Sequence, residues 1–242
     1  MHHYREVRSV ILLDDSSAGA AGVSALSTCR NMLKWHDMHP ALLNQRSNMN
    51  NPLAHYITSQ AYNNAWANHR LLKACGQLTQ AEFQATRVSF FPTIQFTLNH
   101  ILTCDWFYLD ALERELRGAA PHADCYVFFE KDEPFTDCAA LHAAQRASDL
   151  RLIAHCRSLC DADLARRVTI LRDNPQIDTR QRLLAHVFQH QIHHRGQVHA
   201  MLAGTRIEAP QLDEFYCAGE ASERAQDFLE LGWTEDDVWG TR

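Results

Sequence analysis

Apolar residues recur at steps of three and four over most of the chain beyond residue 51, and they alternate nowhere for long. Such a period marks helices with one buried stripe. In "NNPLAHYITSQAYNNAWANHRLLKACG" the stripe is Leu53, Tyr56, Ile57, Ala61, Ala65, Leu71, Leu72 and Cys75. Asn51 is a candidate N-cap, Pro52 suits the first turn, and Gly76 closes the helix. A short helix follows in "LTQAEF", where Thr79 and Glu82 have capping-box spacing. The second long helix runs from about Pro92 to Leu116 and is apolar on most sides in its first half, which predicts burial against several neighbours. The third runs from about Asp137 to Leu159, with Thr136 as its candidate cap. The fourth starts near Thr179 and ends at Gly204, and a short helix is expected around Ser222 to Leu231. Between the third and fourth, "ARRVTIL" reads as a short strand or as an extended loop. Four long helices and no regular series of strands predict an all-α four-helix bundle.

Residues 1–48 lack a sustained period, and "SSAGAAGVSALS" is small and flexible. We expect a poorly structured N-terminal extension, or upstream sequence ahead of a start at Met49, followed by the bundle and its tail over residues 49–242. The apolar stretch Val10 to Leu13 is too short for a signal peptide. No run of about 18 apolar residues exists, so no membrane span is expected. The net charge of -6 argues against nucleic acid as a partner. Eight scattered cysteines without a CxxC pair read as free thiols in a reducing, cytoplasmic compartment. Cys156 and Cys160 are read as sharing a helix face, and as a packing feature.

The fourth helix carries the candidate chemistry. "HVFQHQIHHRGQVHAML" holds five histidines between residues 186 and 199. The stripe Leu183, Val187, His190, His194, Val198, Met201 should enter the core, and two of its positions are imidazoles one turn apart. Buried without partners they would be costly, and their spacing suits two ligands of one divalent ion. A third ligand is expected from a facing helix, where His100 stands among apolar residues in "FTLNHILTCDWF". Asp105, about 140° round that helix from His100, does not share the ion with it. His186 reads as a residue supporting the ligands or an interface; His193 and His199 read as wetter. Two roles are open to Arg195: binding an anionic group of a substrate, or a salt bridge across a dimer.

These two segments, with "LNHILTCDWFYLDAL" around His100, resemble the DinB superfamily, the DinB/YfiT-like proteins. The tail segments "APQLDEF" and "LELGW" are similar to those of its proteobacterial members, and the resemblance runs from about Met49 to Gly240. It implies a four-helix bundle with a three-histidine metal site whose ligands fall on His100, His190 and His194. It also implies a homodimer, and its characterised relatives use small thiols, as bacillithiol transferases and mycothiol-dependent isomerases do. Three imidazoles leave a coordination shell open, as in catalytic sites. The expected function is a metal-dependent thiol S-transferase or hydrolase carrying Zn, Ni or Fe and taking a small thiol or other small molecule. The rival is a non-catalytic, metal-stabilised binding module in a stress response. Turnover of an electrophile with a thiol separates the two.

Overall fold

A computed structural model describes residues 51–240 of the chain; the extension expected over residues 1–48 lies outside the described residues. The long helices are α1 (Pro52–Cys75), α3 (Ile94–Leu116), α4 (Cys138–Arg157) and α6 (Arg180–Ala203). Short helices α2 (Gln80–Phe83) and α5 (Asp161–Leu164) punctuate them, and α7 (Ala221–Leu231) and α8 (Glu235–Trp239) form the tail. The protein is an all-α bundle with one small hairpin. None of the described helices is long and apolar enough to cross a membrane.

Side chains at the helix starts explain most boundaries. Thr79 and Glu82 form the capping box of α2. Thr93 accepts the N–H of Phe96 at 2.9 Å, and Thr179 accepts that of Arg182 at 3.3 Å. At α4 the cap is Asp137, not Thr136: its carboxylate accepts the N–H groups of Ala139 and Ala140 at 2.8 and 3.1 Å. A carboxylate there also meets the positive end of the helix dipole. Asn51 occupies the cap position of α1 without capping it. Its Oδ1 instead accepts the N–H of Asp161 at 3.0 Å, while the Asp161 carboxylate accepts the N–H of Ala54 at 2.8 Å. The starts of α1 and α5 therefore cap each other across the fold.

α4 ends at Arg157, so Cys160 lies beyond it, and Cys156 and Cys160 share no helix face. "ARRVTIL" resolves into a strand: β1 (Arg167–Leu171) pairs antiparallel with β2 (Pro175–Thr179), Arg167 opposite Thr179. Val168 and Ile170 of β1 are buried, and β1 packs on α3. β2 holds Pro, Gln and Asp, poor strand formers, and its edge is set by its partner rather than by its own sequence.

The strongest packing pairs α1 with α4 and α3 with α6. Two apolar clusters fill the bundle. One holds Trp66, Leu109, Leu112, Leu184 and Phe188, and Phe215 of the tail lies over it. The other holds Leu71, Leu72, Ile101, Leu141, Val198 and Leu202. The order in which each helix meets them fixes its direction. α1 and α6 run from the first cluster to the second, and α3 and α4 run back. On every long helix the turn between the clusters carries buried polar residues: Asn64 and Asn68, Asp105, Gln145 and Asp149, Gln191 and Arg195.

Candidate metal centre and its surroundings

α3 and α6 pair antiparallel, and each offers a row of side chains at four-residue steps: His100, Cys104, Tyr108 on one, and His194, His190, His186 on the other. Where the rows meet, His100, His190 and His194 converge, each with a ring nitrogen within 4.8 Å of the other two. The Nε2 atoms of His100 and His190 are 3.1 Å apart. The ring centroids lie 5.0, 4.6 and 4.5 Å from one another. His100 and His194 are buried and His190 is half-buried.

Burial holds all three imidazoles neutral. It pushes His100 down to about 3, helped by His194. It pushes His190 down to about 2, helped by the neighbouring imidazoles. His194 falls to about 4, with Gln197 acting the other way. Neutral rings present lone pairs, and lone pairs aimed at one point repel unless a cation or a proton lies between them. The donor set fits a divalent ion of borderline softness.

Two neighbours set the triad. His194 donates from Nδ1 to Oε1 of Gln197 at 2.9 Å, and Gln197 donates in turn to Nε2 of His193 at 3.0 Å. This fixes the tautomer that leaves Nε2 of His194 free. Phe91, ahead of α3, lies against His100 and His194 with centroids 4.5 and 5.5 Å away, and it stacks on Phe96 at 4.9 Å. The ring walls the triad on that side. Cys104 is buried with Sγ 3.7 Å from Nε2 of His100, and burial pushes its thiol well above the usual range.

Arg195 is buried at 4% exposure, so neither role expected of it holds. Its Nη1 donates to Oδ1 of Asn64 at 2.6 Å, Oδ1 of Asn68 at 3.1 Å and Oε1 of Gln191 at 3.0 Å. Those amides, with Gln145, donate to two buried carboxylates. Asn68 reaches Asp149 at 2.9 Å, Gln145 reaches Asp105 at 2.8 Å, and Gln191 also donates to Asp105. One guanidinium thus faces two carboxylates through a layer of amides. Burial raises Asp149 to about 7, with the charge of Asp105 adding to it, and raises Asp105 to about 6. Asp105 therefore belongs to this layer and not to the triad. Gln191 and Arg195 follow His190 and His194 by one residue each. Anchoring them in the bundle centre fixes the rotation of α6 that turns both imidazoles toward α3.

His186 sits one turn beyond His190, with Nε2 3.0 Å from the hydroxyl of Tyr108. Arg172, in the hairpin turn, donates to the same hydroxyl at 2.5 Å. His193 is exposed, and His199 lies 3.0 Å from the carbonyl of Pro210. Sequence reasoning missed Tyr108, Arg172 and Gln197. The signal available was spacing: Tyr108 is eight residues from His100, as His186 is from His194.

A second group, His69, Asp227 and Glu230, also has its donor atoms within 4.8 Å. Here the carboxylates are already matched. Arg70 donates to Asp227 at 2.6 Å and Lys73 to Glu230 at 2.7 Å. The group is an ion-pair knot tying α1 to α7, and it has no charge left over for an ion.

The family model for the DinB family matches residues 49–220 of the chain. Among solved structures, the chain is similar to a DinB-like protein from Bacillus cereus ATCC 10987. The two are 18% identical, with 60% of this chain and 90% of that chain covered and a TM-score of 0.46. No curated protein matches it.

Proposed function

Starting from the fact that this chain belongs to the DinB family, we propose that it is a metal-dependent enzyme, a thiol-dependent S-transferase or a hydrolase. His100, His190 and His194 hold its divalent ion. The observation that carries the reading is the convergence of three neutral imidazoles from two helices within 4.8 Å. When bound there, Zn, Ni or Fe supplies Lewis acidity that favours the deprotonated form of a water or thiol near neutral pH.

The chain's own residues do the positioning. Gln197 holds His194 in one tautomer. Phe91 keeps water from one side of the site. The amide layer through Gln191 and Arg195 holds the two α6 ligands in register with α3. No carboxylate joins the group, so the three ligands add no negative charge of their own and the ion's charge stays available to a substrate.

Metal analysis of the purified protein tests the reading. One divalent ion per chain is expected, falling well below one in His190→Ala and in His194→Ala. Unchanged stoichiometry in both variants overturns the site. Turnover of an electrophile with a small thiol, lost on chelation, supports the transferase. Turnover of an ester or amide under the same control supports the hydrolase. A metal-loaded protein active in neither would refute the enzyme reading and leave a binding module.

A further inference from the structure

The row of side chains that holds the triad continues past it, and ends on a cation that forms no ion pair among the described residues. Arg172 lies in the turn between β1 and β2 and is half-buried. One of its five N–H donors goes to the Tyr108 hydroxyl at 2.5 Å. Its guanidinium carbon stands 5.8 Å from the ring of Phe107 and 6.0 Å from that of Tyr108. Among the described residues it makes no ion pair. The neighbouring acid, Asp173, accepts instead from Tyr126 at 2.5 Å. With Arg172 donating to its oxygen, the Tyr108 O–H donates a hydrogen bond to Nε2 of His186 at 3.0 Å. Burial holds that phenol up at about 12 and pushes His186 down, so both stay neutral and Arg172 is the charge of the cluster. It is also the one cation acting on Tyr108 and on His186 among the described residues.

The cluster sits beside the triad. The rings of His186 and His190 are 6.1 Å apart, centre to centre. A half-buried guanidinium with free N–H groups is a fork for a planar anion. One positive charge balances one negative charge, which matches a carboxylate better than a doubly charged phosphate. Anion binding was one of two roles the sequence left open to Arg195; the fold buries that residue and leaves Arg172 for the role.

We propose that Arg172, braced by Tyr108, is the receptor for a carboxylate carried by the substrate, on the His186 side of the group that reacts at the triad. The substrate is then a small acid whose thiol or cleavable bond and whose carboxylate lie at the two ends of a short chain. The proposal rests on the metal reading of the triad.

The test compares mercaptobutyrate with mercaptobutyramide, two thiols that differ in the carboxylate alone, on Co(II)-loaded protein. The readout is the half-saturation of the thiolate-to-metal charge-transfer band. The acid should saturate at a concentration lower by about tenfold, the ratio expected of a charge-assisted hydrogen bond. In Arg172→Gln that preference should fall below about twofold while the amide's own half-saturation stays put, and Arg172→Lys should restore part of it. Equal saturation by the two thiols in the native protein, or a preference that survives Arg172→Gln, overturns the proposal. If no cobalt binds, the triad reading has failed on its own. The subsite is then tested on the metal-free protein by titrating butyrate against the His186 ring signals in NMR. A shift present in the native chain and absent in Arg172→Gln upholds the receptor; no shift in the native chain overturns it.

Discussion

His194 and Gln197, three residues apart on α6, are joined by a 2.9 Å hydrogen bond that determines which imidazole nitrogen of His194 is free. Without it, Nδ1 of His194 loses its acceptor and the ring can turn or change tautomer. Gln197→Ala should weaken metal affinity by roughly 10- to 100-fold, the usual effect of removing a ligand's orienting partner. Competition with a chromophoric chelator measures it. The melting temperature of the metal-free protein should stay close to that of the native chain, since Gln197 is only half-buried. Unchanged affinity would remove Gln197 from the site.

Arg195 is the only cation whose charge acts on Asp105 and Asp149 among the described residues. Arg195→Met keeps the volume and removes the charge. The loss should be on the order of 3–5 kcal/mol at neutral pH, as for other buried charges left without a partner. Urea unfolding measures it, and a change below about 1 kcal/mol would show that the amides alone satisfy both carboxylates. Asp149→Asn in the same chain should recover part of the loss, because the two sites share one network.

Asp149 gives the fold a pH dependence whose sign is opposite to that of an exposed ion pair. Its carboxyl is held up at about 7 in the folded chain, against about 4 when solvated. The folded state therefore binds a proton that the unfolded chain has released. This contribution is complete below the solvated value and is lost as pH rises through the folded one. Asp149→Asn removes the titration. Relative to the native chain, the variant should gain roughly 2 kcal/mol between about pH 5.5 and pH 7.5. Denaturant midpoints at the two pH values check it; a constant difference would place the Asp149 carboxyl in its ordinary range.

Asp161 caps α1 from more than a hundred residues away, accepting the N–H of Ala54 at 2.8 Å. Asp161→Ala should destabilise the protein by about 1–2 kcal/mol, the range of a lost N-cap. The amides of Leu53 and Ala54 should exchange faster with solvent, and unaltered protection there would show that Pro52 and the dipole suffice.

The helices were legible because their apolar period is long, and the triad because imidazoles on an apolar stripe are conspicuous. The amide layer was not. Apolar periodicity skips polar residues, so it gave no sign that Gln191 and Arg195 are buried, at 0% and 4% exposure. Their own signal was pairing at four-residue spacing: Asn64 with Asn68, Gln145 with Asp149, Gln191 with Arg195. Four polar pairs or singles at one level of four helices point to each other. Arg172 carried no such pattern, because a hairpin turn places it and one of the two strands opens on Pro and Gln and carries an Asp. Thr136 and Asp137 differed by one residue, below what cap preference resolves.

The antiparallel seating of α3 against α6 has a consequence for how the protein is made. His100 and His190 are 90 residues apart in sequence, with α4, α5 and the hairpin synthesised between them. On a ribosome that builds about 5–20 residues each second, His100 waits several seconds without its partners. The triad can close only after the last long helix has emerged. On the proposed reading, loading with metal would report that the bundle is complete, and a chain stalled before residue 190 holds only His100 of the three histidines.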